Sequence, residues 1–209
     1  MKTKDTKDLF AHKSKNWDMK SRRVKNAKSI ASIIASNIKL DKDMQIADFG
    51  AGTGLLSFFL AQKVRLITAI DNSASMLEVF EQKSDEFEAK TEVCNINLAT
   101  DYNQSFDNKF DGIVSSMTLH HIKDLDDIFA KFYNMIKKDG FIAIADLRSE
   151  DGSFHSDSTG VYHNGFDENL LRNIVKNCGF KNINFYDCDT INKENGKSYG
   201  VFCMIAYKK

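Results

Sequence analysis

The chain has 209 residues, 29 Lys+Arg against 29 Asp+Glu, 42% apolar residues and no proline. This is the size of one domain, or one with an appendage, and its apolar and charged fractions exclude a disordered or collagen-like chain. Zero net charge argues against a protein that lives on nucleic-acid phosphates, and no apolar run approaches the roughly 18 residues of a membrane span. Met1 to Asp8 is polar and charged, without the apolar stretch of a secretory signal. Cys94, Cys178, Cys188 and Cys203 lie far apart with no C-x-x-C spacing. They read as small buried hydrophobes in a reducing cytoplasm rather than as a zinc site or a disulfide framework.

Taken in chain order, the first forty residues stand apart. From Lys2 to Lys28 there are ten Lys/Arg and three Asp. Ala27, Ile30, Ala31, Ile33, Ile34 and Ile38 then recur at helical spacing, which predicts an amphipathic helix packed on the body. The basic run reads as a solvated face, or else as a lid anchored by Trp17. From Met44 onward strands and helices alternate. Met44 to Phe49 reads as a strand, Leu55 to Lys63 as a buried helix, Val64 to Ile70 as a second strand. Ser73 caps a helix carrying Met76, Leu77, Val79 and Phe80. Glu92 to Ile96 and Phe110 to Ser115 are the next strands. Asp124 caps a helix with Leu125, Ile128, Phe129, Phe132 and Ile136 on one face. Gly140 to Ala145 is a fifth strand, and Asp167 caps a helix that Gly179 stops. Ile183 to Cys188 and Val201 to Tyr207 are two strands joined by a polar loop, Asp189 to Tyr199, with no helix between them. The alternation predicts a parallel sheet covered on both faces, and the last pair predicts an antiparallel hairpin.

The strongest local signal is Asp48-Phe49-Gly50-Ala51-Gly52-Thr53-Gly54, between the first strand and its helix. Glycines at the carboxyl edge of a first strand let a ligand approach backbone with no Cβ in the way. Asp71, in Thr68-Ala69-Ile70-Asp71-Asn72, ends the second strand, where a carboxylate can accept from both ribose hydroxyls. The spacing is G-x-G-x-G, whereas a dinucleotide fingerprint is G-x-G-x-x-G, with its third glycine at the place of Leu55. Asp48 sets an anion near the loop, which suits an ammonium or sulfonium better than a pyrophosphate. These features, with the terminal hairpin, favour S-adenosylmethionine over a nicotinamide cofactor.

From Asp48 to its C-terminus the chain resembles the class I S-adenosylmethionine-dependent methyltransferases, in the small-molecule (type 11/12-like) branch. Phe110-Asp111-Gly112-Ile113-Val114-Ser115-Ser116-Met117-Thr118-Leu119-His120-His121-Ile122 is similar to that branch's fourth-strand motif. Lys137-Lys138-Asp139-Gly140-Phe141 stands where the branch carries a Pro-Gly-Gly turn. Asp146 to His155, with His163-Asn164-Gly165-Phe166-Asp167, resembles a bacterial and fungal subgroup. The resemblance implies an α/β, Rossmann-like, seven-stranded and mostly parallel sheet. It implies a cofactor-binding domain over 41–209, with 1–40 as a leader and helix on the substrate side. It also implies cofactor contacts from Asp48, Gly50, Ala51, Gly52, Gly54, Asp71, Asn72, Met76, Asn97, Leu98 and Ser116, with Trp17 reaching in from the leader. Where family members often carry Asp after the third strand for the adenine amino group, this chain has Asn97-Leu98, with Asn95 a second candidate.

His120 and His121 follow the fourth strand, at the expected cofactor edge. His155 and His163 lie in Leu147 to Phe166, a stretch with no regular period. Irregular segments longer than about 12–15 residues are usually functional or disordered. The His and Asp spacings match no standard ligand set, so no metal is expected. Methyl transfer from a sulfonium needs orientation rather than a nucleophilic side chain. A protic acceptor needs a base, for which His120, His121 and His163 are candidates, with His120 at the cofactor and His155 or His163 at the acceptor. A small-molecule acceptor is the expected partner. The rival readings are a nicotinamide-dependent oxidoreductase, a non-catalytic cofactor-binding regulator and a nucleic-acid methyltransferase. The last lacks the Asn/Asp-Pro-Pro-aromatic motif of amino-methylating members.

Overall fold

A computed structural model describes residues 21–194 and 196–209. Trp17 and the rest of residues 1–20, to which the lid reading belongs, lie outside the described residues. Seven strands form one sheet in the order β3-β2-β1-β4-β5-β7-β6. They are β1 (Gln45–Phe49), β2 (Leu66–Asp71), β3 (Lys90–Asn95), β4 (Phe110–Ser116), β5 (Ile136–Leu147), β6 (Lys181–Asn192) and β7 (Ser198–Tyr207). β7 runs antiparallel to both β5 and β6, and the other neighbours are parallel. The helices are α1 (Ser21–Asn37), α2 (Leu55–Ala61), α3 (Ala74–Ser84), α4 (Leu125–Met135) and α5 (Glu168–Asn177).

Alternation along the central strands builds two cores. Ile46, Val114, Ala143, Ala145, Cys203 and Ile205 point to one face, where Ile30 and Ile34 of α1, Ile38 just after it, and Leu56 and Leu60 of α2 meet them. Ala47, Ile113, Ile142, Ile144, Phe202 and Met204 point to the other, against Ile128, Phe129 and Phe132 of α4 and Leu171 and Val175 of α5. A strand buried on both sides therefore reads as a continuous apolar run, as a parallel sheet demands. The helix starts follow the capping residues: Ser73 accepts from the Met76 amide, Asp124 from Asp127, and Asp167 from Asn169 and Leu170. Gly179, at φ +103°, ends α5 as expected.

Two local readings change. The segment Asp189 to Tyr199 is not one polar loop. β6 runs on to Asn192 and β7 starts at Ser198, with Ile191 opposite Tyr199, so the turn is only residues 193–197. Only alternate positions of this ribbon are covered, and Ile191 and Tyr199 are the apolar residues that fill them. β5 likewise begins earlier than Gly140, because Ile136 pairs with Phe110 across an irregularity. Asp139 there adopts φ +63°, the left-handed conformation that a glycine of the Pro-Gly-Gly turn would supply.

β1 and β4 are neighbours, yet their following helices α2 and α4 lie on opposite faces. The crevice of an open α/β sheet opens at such a switch of direction, outside the carboxyl ends of its strands. α1 runs antiparallel to the parallel strands: Arg22 of its first turn donates to the Asn192 carbonyl, while the Tyr207 hydroxyl reaches the Asn37 carbonyl at the far end. Its start therefore stands at the same carboxyl edge.

Candidate active site

The loop after β1 is clasped to the end of β2. Gly50 and Ala51 donate their amides to the Ile70 carbonyl (2.8 and 3.3 Å), and the Gly52 amide donates to Asp71 Oδ2 at 2.8 Å. Asp71 Oδ1 accepts from the Ser73 amide at 2.8 Å, which ties the same carboxylate to the start of α3.

The three glycines, at φ +67°, +53° and +81°, serve different ends. A Cβ on Gly50 would stand 2.2 Å from the Thr118 side chain, and one on Gly54 would stand 2.6 Å from Phe80. A Cβ on Gly52 would meet nothing within 4 Å. The outer glycines admit protein; the middle one faces open space beside Asp71.

Asp48 is 1% exposed and accepts from the Ser57 hydroxyl at 2.6 Å. Burial, above all, pushes its pKa up to about 7, with Asp71 adding repulsion and the Ser57 bonds opposing it. Its charge is thus poised to change near neutrality and would be held by a cation in the crevice.

The remaining cofactor candidates are placed as follows. Met76 is buried at the start of α3, and its amide donates to the Ser73 hydroxyl. Asn72 is exposed and Ala51 buried. Asn97 turns its Oδ1 onto the Ala99 amide at 3.1 Å, beside the buried Leu98. Asn95 Nδ2 donates to the Asp71 carbonyl at 3.1 Å. Ser116 ends β4, and the Thr118 hydroxyl lies 3.2 Å from its carbonyl and 3.3 Å from that of Gly50. Met117 between them adopts φ +57°. This bend binds the end of β4 to the glycine loop.

Beyond it, a 3-10 turn, Leu119–His121, brings the histidines together. Asp146, fully buried at the end of β5, accepts from His120 Nδ1 at 2.7 Å, from the His120 amide at 3.1 Å and from the Leu147 amide at 2.7 Å. The contact fixes the proton on Nδ1 and leaves Nε2 as the basic nitrogen, with no hydrogen bond to it among the described residues. The His155 ring lies 4.8 Å from that of His120, and His121 lies 4.2 Å from His120 on another side. His121 is tied down, its Nδ1 donating to the Gly160 carbonyl at 2.7 Å. Burial, then the neighbouring His120, His121 and Lys193, push the His155 pKa down to about 4, so the ring is neutral near pH 7. His163 stands apart: its Nε2 donates to the Ile122 carbonyl at 2.9 Å and its ring packs 5.3 Å from Phe166.

The segment after β5 is irregular but firmly attached. The Tyr162 and His163 amides donate to the His120 carbonyl, Ser149 to Phe166, and Glu150 to Asn164. Arg148 bridges Glu168 and Asp187. Sequence reasoning named Asp146 only as the first residue of a similar segment and gave it no role. The signal was a lone carboxylate inside the apolar run Ile142 to Leu147.

Comparison with known proteins agrees with this geometry. Residues 40–170 match the model of a family described as a methyltransferase domain. A Schizosaccharomyces pombe protein described as an uncharacterized methyltransferase is 33% identical over 153 residues, 66% of this chain and 54% of its own length. The chain spans little more than half the length of the curated relatives it matches. A putative methyltransferase from Haloferax volcanii, solved in complex with the Trm112 methyltransferase activator, superposes with a TM-score of 0.73 at 12% identity, covering 99% of each chain. A phosphoethanolamine N-methyltransferase of Haemonchus contortus, solved with S-adenosylhomocysteine, superposes with a TM-score of 0.67 at 15% identity, covering 92% of this chain and 58% of that one. At these identities the two structures speak for the fold.

Proposed function

The chain belongs to the methyltransferase-domain family, and from that premise we propose that the protein moves the methyl group of S-adenosylmethionine onto a small molecule that loses a proton. The observation that carries this reading is the open space over Gly52 beside the Asp71 carboxylate. Asp71, which holds the Gly52 amide at the lip of this space, accepts from the ribose hydroxyls. Asp48 supplies negative charge for the cationic end of the cofactor. Ala51, Asn72, Met76, Leu98 and Ser116 line the seat, and Asn97 keeps one lone pair of Oδ1 for the adenine amino group. The bound cofactor supplies an electrophilic methyl carbon on sulfur.

The chain's own contribution is orientation and proton removal. His120 Nε2 receives the acceptor's proton as the new bond forms. Asp146 is the positioning residue: it holds the Nδ1 proton and stabilises the imidazolium that results. His155, neutral and packed beside His120, faces the acceptor, and His163 fastens the segment after β5 to Ile122. The four cysteines are free thiols, which suits a cytoplasmic protein, and no helix among the described residues is long and apolar enough to cross a membrane.

The test is transfer from methyl-labelled S-adenosylmethionine to a panel of small protic acceptors. Wild-type protein labels an acceptor. His120→Ala binds S-adenosylhomocysteine as well as wild type but turns over more slowly. Equal turnover in that variant removes His120 from the reaction.

A further inference from the structure

Three buried side-chain atoms among the described residues have no hydrogen-bond partner: Asn26 Oδ1, Glu150 Oε1 and His155 Nε2. They come from three distant parts of the chain, and the fold brings all three to the far end of the carboxyl edge. On α1, Arg22 donates to the Asn192 carbonyl and Ser29 to the Cys188 carbonyl, and Asn26 lies between them on the same helical face. That face covers β6 where Ile191 pairs with Tyr199. The Tyr199 hydroxyl meets Ser153 Oγ at 2.7 Å, and its ring lies 5.1 Å from Phe154. The Phe154 amide donates to Glu150 Oε2 at 3.0 Å, which leaves Glu150 Oε1 unused. The Phe154 ring lies 4.8 Å from His155, whose ring in turn lies 4.8 Å from that of His120. The sequence of neighbours runs from the base, His120, through two aromatic rings, to a carboxylate and an amide oxygen. Asn26 itself is only 6% exposed.

Buried polar atoms are nearly always paired, so three unpaired ones at one end of a crevice need a partner from outside the described residues. A carboxylate oxygen and an amide oxygen can only accept. The missing partner must therefore bring hydrogen-bond donors, and an ionised carboxylate, which can only accept, brings none. We propose that this end of the crevice is the acceptor subsite, and that it takes a small molecule with at least two hydroxyls: one is methylated, and the other donates to Glu150 or Asn26. This rests on the methyl-transfer reading above. In the reaction an oxygen–carbon bond forms as the carbon–sulfur bond breaks. The hydroxyl proton passes to His120 Nε2, and the sulfur leaves as a neutral thioether. A hydroxyl meets both demands, since it donates to the subsite and still offers a lone pair to the methyl carbon.

The experiment uses the full chain saturated with S-adenosylhomocysteine and compares two probes, pyrocatechol and benzoate, by calorimetry. Pyrocatechol binds and benzoate does not. Asn26→Leu removes an unsatisfied atom, so its Tm rises by about 2–4 °C, its affinity for S-adenosylhomocysteine is unchanged and pyrocatechol binds about tenfold more weakly. Glu150→Gln keeps an oxygen for the Phe154 amide and offers an NH2 in place of Oε1, so the preference swings toward benzoate. Failure of S-adenosylhomocysteine to bind overturns the methyl-transfer reading itself. If it binds but the two probes are indistinguishable, or Asn26→Leu lowers Tm, the subsite is overturned. An unchanged Tm with unchanged pyrocatechol binding also overturns it, and means an ordered water only.

Discussion

The loop after β1 and the segment after β5 stand on the same edge of one sheet, but they are built by different means. The first is short and contiguous. Its conformation comes from three positive-φ glycines, and backbone amides clasp it to Ile70 and Asp71. The second is long and aperiodic. It is held by side chains and carbonyls from β4, β5, α5 and the β6–β7 turn, and it leaves buried polar atoms unpaired. Backbone clasps give a seat of fixed shape, which suits a cofactor that never changes. Long-range side-chain contacts give a wall that can be re-made residue by residue, which suits an acceptor that differs between relatives.

The largest effect should come from the clasp. Gly52→Val fills the open space, so S-adenosylhomocysteine binding is abolished in calorimetry. Strain at a positive φ costs of order 1–3 kcal/mol, and the circular dichroism of a folded protein persists. Gly54→Val, by contrast, collides with Phe80 and loses the fold itself, which separates ligand space from packing. Next in size is His120→Ala, which lowers kcat by about 10²–10⁴ at unchanged cofactor affinity. Asp146→Asn lowers kcat in the same sense and shifts the pH–rate profile, because the orientation of His120 and its imidazolium both depend on that carboxylate. A smaller effect is expected of Asp71→Ala, which weakens the cofactor by about 1.5–3 kcal/mol, the cost of a charged hydrogen bond.

The mildest test is pH, and it gives opposite slopes for the free and the bound protein. Asp48 has a folded pKa raised from 3.8 to about 7. Between these values the folded chain binds more protons than the unfolded one, so this group's contribution to stability falls as pH rises from about 4 to 7. A cationic ligand needs the ionised form, so cofactor affinity weakens as pH falls below 7, by at most about tenfold per pH unit. Asp48→Asn removes both slopes, as thermal melts and calorimetry across pH 5–8 would record.

Much of the frame was legible, because strands buried on both faces and capped helices announce themselves locally. Ser73, Asp124 and Asp167 mark helix starts in the sequence, and they accept the expected amides. The glycine loop was legible for the same reason: a positive φ leaves its mark in residue type. The β6–β7 turn was misjudged, since Ile191 and Tyr199 are too few to display a period of two along a polar ribbon. The pairing of His120 with Asp146 spans 26 residues, and no periodicity encodes a contact between the turn after one strand and the end of the next. Asn26 was further out of reach, because an Asn inside an amphipathic helix reads as surface until the helix is docked on β6.

The most direct measurement is a calorimetric titration of the full chain with S-adenosylhomocysteine, repeated with reduced nicotinamide dinucleotide and with Gly52→Val. Saturable binding of the thioether alone, absent in the folded variant, is the predicted result. Binding of the dinucleotide instead, or equal binding of S-adenosylhomocysteine by wild type and variant, would contradict a cofactor seated over Gly52 beside Asp71.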